Sequence, residues 1–167
     1  MCGIAGLWRR GGPDPADGVR VERMAKTLIH RGPDDFGYLF ANSQRMLASV
    51  SQATVNDFDP DVLIASRRLA IIDLGSQGRQ PIANETSDVF VAFNGAIHNY
   101  VELREELESR GHTFRSHTDT EVIVHAYEEW GENCARRFNG MWAYAIWDAR
   151  KRRLVCSRDR LGIKPLF

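Results

Sequence analysis

Residues 141–148, Met-Trp-Ala-Tyr-Ala-Ile-Trp-Asp, alternate large and small apolar side chains and offer no polar face. Successive residues of a strand point to opposite sides of its sheet, so this pattern reads as a strand buried on both sides. Any fold for this chain has to cover both faces of that strand. Residues 153–157 read as its hairpin partner across Ala149-Arg150-Lys151, which makes the pairing antiparallel.

The rest of the pattern supplies strands and helices in clusters. Residues 3–9 read as a short buried strand, and 11–18 as a loop rich in turn residues. Val21, Met24, Ala25 and Leu28 recur at helical spacing, and residues 30–35 end that helix in a turn. Strands are expected near 36–41 and 45–50, a polar surface loop over 51–61, and a β-branched strand from Arg68 to Leu74. Another strand, 89–93, is expected to stop at Asn94-Gly95. A helix over 100–110 carries Leu103 and Leu107 one turn apart, with Gly111 at its C-terminal cap. A second, over 118–130, places Val122, Ala126 and Trp130 on one face, with Thr118 or Asp119 as N-cap. Without strict β-α alternation, this is an α+β chain.

Bulk properties exclude several functions. The 22 basic and 22 acidic side chains cancel and no basic run occurs, so electrostatics give no case for nucleic acid or an anionic membrane. No apolar stretch is long enough to span a bilayer. Arg9 and Arg10 follow only a short apolar piece, unlike a signal peptide, and the expectation is a cytoplasmic protein. Cys2, Cys134 and Cys156 form no C-x-x-C pair and leave an odd thiol, so neither a disulfide framework nor a metal site is expected. The 167 residues fit one domain with enough apolar content for a core.

Four positions carry candidate chemistry. Cys2, once Met1 is removed, bears both a thiol and a free α-amine, and an amine titrating near about 7.7–8.0 can serve as the thiol's base without a histidine. Asn94-Gly95 offers a side-chain amide and a backbone N–H, the donor types of an oxyanion hole, although the same dipeptide also makes plain turns. Arg68 can grip a carboxylate with two parallel hydrogen bonds. Asp119, at a helix N-terminus, can hold an ammonium or act as a cap.

Together these positions fall into a sequence order that resembles class II, N-terminal-nucleophile glutamine amidotransferases, and within them the glutamine-hydrolysing asparagine synthetases. The resemblance rests on Met1-Cys2-Gly3-Ile4-Ala5-Gly6, the Arg31-Gly32-Pro33-Asp34 turn, Arg67-Arg68-Leu69-Ala70-Ile71-Ile72-Asp73-Leu74 with Gln80-Pro81, Phe93-Asn94-Gly95, Thr118-Asp119-Thr120-Glu121, Phe138-Asn139-Gly140, and the block from Arg158 to Leu166. It covers the whole chain. It implies an N-terminal-nucleophile hydrolase fold, a four-layer αββα sandwich of two stacked antiparallel sheets. It also implies roles: Cys2 as nucleophile, Asn94 and Gly95 as oxyanion donors, Arg68 for the substrate carboxylate, Asp119 for its ammonium, and the backbone around Leu69 and Ile71 as pocket lining. The implied substrate is glutamine, and the implied partner a synthetase domain in cis that consumes the ammonia. No cofactor is implied here, ATP and Mg²⁺ being expected only in that other domain. Self-association into a homodimer is left open.

Three departures stand out. Ala96 occupies the place of a family Glu that helps bind the substrate ammonium, His98 follows it, and Ser66 stands where a His often precedes the two arginines. Losing one charged hydrogen bond costs about 1.5–3 kcal/mol, roughly ten- to a hundred-fold in affinity. The chain stops at Phe167 and contains no Ser-Gly-Gly-x-Asp-Ser block, so it reads as an incomplete amidotransferase domain, residues 1–167, of a longer enzyme. The competing reading is a degenerate, non-catalytic amidotransferase-like module, favoured by Ala96 and opposed by the retention of the other positions.

Overall fold

The structure is a computed structural model that describes residues 1–42, 45–50 and 59–167, with only the backbone of 49 and 50. Most of the loop expected over 51–61 therefore lies outside the described residues. Contacts divide the chain into two compact units, Met1–Ala70 with Arg79–Pro81, and Ile71–Gly78 with Ile82–Phe167.

The first unit holds β1 (Gly3–Trp8), α1 (Asp17–Thr27), β2 (Asp35–Ala41), β3 (Met46–Val50) and β4 (Val62–Arg68). Its sheet runs β1-β4-β2-β3, antiparallel throughout, with Gly3 opposite Arg67 and Asp35 opposite Arg68. Val21 and Ala25 of α1 pack on Tyr38, Phe40, Leu63 and Ala65, every second residue of β2 and β4. Met24, expected on this face, is 42% exposed. The buried stripe follows i, i+4 from Val21 to Ala25, and Met24 falls on its flank. Helix α1 also starts inside the stretch read as loop. The buried Asp17 carboxylate accepts from Arg9 Nε at 2.5 Å and from Arg20 at 2.6 Å, which fixes the first turn and places an acid at the positive helix end.

The expected strand from Arg68 to Leu74 is corrected: β4 ends at Arg68 and begins at Val62. Ile71 and Leu74 are 75% and 79% exposed. Two apolar runs, 62–65 and 69–74, compete for the strand, and pairing on both sides with β1 and β2 selects the first. Beyond Arg68 the chain leaves the ladder: Ala70 N–H donates to the Asp34 carboxylate at 2.8 Å, and Asp73 adopts a left-handed φ of 56°.

The second unit holds β5 (Ile82–Ala83), β6 (Val89–Ile97), α2 (Tyr100–Ser109), α3 (Asp119–Trp130), β7 (Gly140–Asp148) and β8 (Arg153–Arg158). Its antiparallel sheet runs β5-β6-β7-β8. The strand expected to be doubly buried is so: every residue of β7 from Trp142 to Asp148 is buried. Its large side chains Trp142, Tyr144 and Ile146 join Val91, Phe93 and Ile97 of β6, Leu103 and Leu107 of α2, and Val122 and Ala126 of α3 in one core. Its small ones, Ala143 and Ala145, line the opposite face. Thr118 is the N-cap of α3, its hydroxyl accepting from Glu121 N, and Gly111 follows α2 at φ 100°.

The expectation that a strand stops at Asn94-Gly95 is also corrected. Strand β6 runs on to Ile97, with Asn94 opposite Ala143 and Gly95 opposite Trp142. The glycine serves close approach rather than a turn, since a Cβ there would strike the Met141 carbonyl and the Trp142 backbone.

Candidate active site

The residues singled out in the sequence fall into two groups, one in each unit. In the first unit, Cys2 sits just before β1, half-buried, with its Sγ 3.9 Å from the Leu69 carbonyl oxygen. With Gly3 opposite Arg67, the antiparallel register puts Cys2 beside Arg68 at the same end of the sheet. Arg68 is 4% exposed. Its neighbour Arg67 takes the other face, donating through Nε to the Ala25 carbonyl at 3.2 Å and covering the Phe36 ring at 4.8 Å.

The Arg31-Gly32-Pro33-Asp34 turn gains a physical role here. Asp34 N–H donates to the Arg68 carbonyl at 3.1 Å while its carboxylate takes Ala70 N–H. A Cβ on Gly32 would collide with the backbone of Arg67 and Arg68. The turn thus holds the exit of β4, where Arg68 and Leu69 lie. Glycine at that position permits the approach, a signal present in the sequence without its partner being legible.

In the second unit, Asn94, Gly95 and Asp119 come together around the end of β6. Trp142 exchanges both backbone bonds with Asp159, its carbonyl accepting from Asp159 N at 2.8 Å and its N–H donating to the Asp159 carboxylate at 3.1 Å. Both its polar groups therefore face away from β6, and Gly95 across from it is a non-hydrogen-bonded pair whose N–H points away from β7. On that side β5 pairs only with Phe90 and Val91, so among the described residues no strand of this sheet lies beside Gly95. Two residues on, the Ile97 N–H has the same direction and donates to Asp119 Oδ2 at 2.9 Å. Burial pushes the Asp119 carboxyl above its usual range, against the pull of that bond. Asn94 is buried, and its side chain shares the small-residue face of the sheet with Ala92 and Ala96.

Two supports escaped the sequence reading. Asp73 accepts His117 N–H at 2.9 Å, just before the Thr118 cap, and so braces the turn that presents Asp119. Asp159 accepts N–H groups of Trp142, Leu161, Ile163 and Lys164, and these amides, outweighing burial, hold its carboxyl down at about 2. The side chain of Ile71 belongs to the second unit and is largely exposed. Among the other thiols, Cys134 is buried and pushed up to about 11, and Cys156 is exposed.

The first unit thus sets a buried arginine beside the Cys2 thiol, and the second sets an outward strand amide next to a buried asparagine. The chain belongs to the glutamine amidotransferase domain family, whose model matches residues 52–167. It is 35% identical to a putative glutamine-hydrolysing asparagine synthetase of Methanocaldococcus jannaschii, 37% to asparagine synthetase 1 of Bacillus subtilis and 38% to that of Sandersonia aurantiaca. Each match covers the whole chain but only 32%, 24% and 28% of the relative, so the chain spans about a quarter to a third of their lengths. Its fold is that of an N-terminal-nucleophile amidotransferase: glutamine phosphoribosylpyrophosphate amidotransferase of B. subtilis matches over 99% of this chain and 38% of that one, at TM-score 0.77 and 19% identity.

Proposed function

We propose that this domain hydrolyses glutamine to glutamate and ammonia through a thioester on Cys2, and that the ammonia serves an ATP-dependent synthetase domain of the asparagine synthetase kind. The observation that carries this reading is the Gly95 N–H, turned out of its ladder beside the buried Asn94, at the strand edge where Asp119 is anchored. Once Met1 is removed, the α-amine of Cys2 takes the thiol proton. The thiolate attacks the side-chain carbonyl carbon of glutamine, forming a C–S bond and an oxyanion that Asn94 Nδ2 and Gly95 N–H stabilise. The α-ammonium returns its proton to the departing nitrogen, ammonia leaves, and water cleaves the thioester to give glutamate and free Cys2. Arg68 holds the substrate carboxylate and Asp119 its ammonium, and the backbone at Leu69 and Ile71 lines the pocket. The domain itself needs no cofactor; ATP and Mg²⁺ belong to the synthetase reaction, and the setting is the cytoplasm. No helix of the described residues is long and apolar enough to cross a membrane.

Treatment with a glutamine-analogue diazoketone followed by mass spectrometry tests the reading. One adduct on Cys2 is expected, with loss of glutaminase activity. Labelling of Cys156 or Cys134 in folded protein, with Cys2 unmodified, would refute it. The second reading, a non-catalytic module, rests on Ala96, which sits on the Asn94 face of β6 where the family carboxylate would stand. Glutaminase activity above that of a Cys2→Ala variant excludes it.

A further inference from the structure

Away from these residues, the second unit gathers Glu85, His112, His125 and Glu128 so that one donor atom from each lies within 4.8 Å of the others. His125 Nδ1 is 3.4 Å from Glu85 Oε2 and 3.5 Å from Glu128 Oε2; His112 Nδ1 is 3.5 Å from Glu85 Oε1 and 3.9 Å from Glu128 Oε2. Ligand atoms at about 2.0–2.2 Å from a tetrahedral ion stand roughly 3.3–3.6 Å apart, close to this spacing.

The donors are also left waiting. His125 is fully buried, yet neither ring nitrogen has a hydrogen-bond partner, and neither does the buried Glu128 Oε2. Buried polar atoms left without partners are costly, and two of them, His125 Nδ1 and Glu128 Oε2, converge in one cluster that calls for a ligand. The remaining atoms of the same side chains are held from outside. Glu128 Oε1 accepts from Asn84 Nδ2 at 2.7 Å and Arg150 at 3.1 Å, and Glu85 Oε1 accepts Thr113 N–H at 2.8 Å. Behind the imidazole, Glu121 Oε1 stands 3.6 Å from His125 Nε2, itself fixed by the backbone N–H groups of Arg115 and Ser116. A carboxylate behind a histidine whose other nitrogen faces a donor cluster is the outer arrangement that orients metal-bound histidines. Two neutral imidazoles and two carboxylates carry the charge that a divalent cation neutralises.

We propose that Glu85, His112, His125 and Glu128 form a structural site for a divalent transition-metal ion of the zinc type. The ion ties α3 to the turn before β6 and to the segment after α2, with Glu121 positioning His125. Sequence spacing hides the site, because its ligands come from three separate segments and no cysteine takes part.

The test is calorimetric titration of Zn²⁺ into the chelator-stripped full chain at about pH 8, where ligands deprotonate readily on binding, with Co²⁺ absorption as a second readout. One equivalent is expected to bind, with a Co²⁺ spectrum of nitrogen and oxygen ligation and a raised Tm. Glu121→Gln should weaken binding by roughly 10- to 100-fold. The half-buried His112→Gln and Glu85→Gln, whose folding circular dichroism checks, should weaken it further and abolish the Tm shift. Affinity unchanged in folded His112→Gln and Glu85→Gln, a thiolate charge-transfer band in the Co²⁺ spectrum, or the lack of a stoichiometric site would each overturn the proposal.

Discussion

The two units hold their candidate residues by different means. In the first, Cys2 precedes the first strand and Arg68 ends another, and both depend on a turn, residues 31–34, that clips the chain as it leaves β4. In the second, Asn94 and Gly95 lie inside a nine-residue strand, packed against the doubly buried β7, and Asp119 is tied to the same strand through Ile97. In the proposed function, attack requires a nucleophile free to approach and leave a carbonyl, which a strand end allows. Oxyanion stabilisation requires donors that do not relax at the moment of reaction, which a strand interior provides.

The largest test of this contrast is Asn94→Ala. Removal of one fixed oxyanion donor should lower kcat by about 10²- to 10³-fold with little change in KM. A change in KM alone would assign Asn94 to ground-state binding. Next comes the pair at the end of β4. Arg68→Ala should raise the KM for glutamine by roughly ten- to a hundred-fold, the worth of a charged hydrogen bond. Arg67→Ala should cost stability instead, since its partners are Ala25 and Phe36. Equal kinetic effects from both would contradict the facing described above. Smaller again is Ala96→Glu, which should lower KM about ten-fold by giving the substrate ammonium a second carboxylate. An unchanged or higher KM would favour the non-catalytic reading.

The smallest effect compares how each unit anchors a buried acid. Asp17 is held down at about 2 by Arg9 and Arg20, and Asp159 at about 2 by backbone amides. Both carboxyls are depressed below an unfolded value of about 3.9, so their stabilisation is complete above pH ~4 and is lost as pH falls toward 2. Salt should separate them. The Asp17 contribution should shrink at high ionic strength, because Arg9 and Arg20 are 40% and 49% exposed, whereas the Asp159 contribution should not. Acid-unfolding midpoints of Asp17→Asn and Asp159→Asn at low and high salt measure this, and equal salt sensitivity would show that the distinction is wrong.

Much of this was legible in the chain. Residues 141–148 announced a strand covered on both sides, and Leu103, Leu107, Val122 and Ala126 marked their helices by spacing alone. Local pattern failed where the decision was tertiary. Val62-Leu63-Ile64-Ala65 and the run from Leu69 to Leu74 look alike, and only partners on both sides tell which is strand. Asn94-Gly95 has the composition of a hairpin turn, but the approach of Met141 and Trp142, some fifty residues on, makes it a strand interior. Among the candidate residues, Cys2, Arg68, Asn94, Gly95 and Asp119 were singled out by type and order. Asp73, Asp159 and the Glu85–His125 cluster were not, because their significance lies in contacts between distant segments.

Strand β6 outruns β5, leaving amides at its far end without a neighbouring strand of the sheet. Such an edge is a template on which a foreign chain can add itself. Donation of Ile97 N–H to the Asp119 carboxylate satisfies one of these amides within the fold itself, in a buried setting. The residue proposed to hold a substrate cation therefore also closes a strand end that the sheet leaves unpaired. Loss of Asp119 would leave the buried Ile97 N–H without its partner, a cost to the fold as well as to affinity.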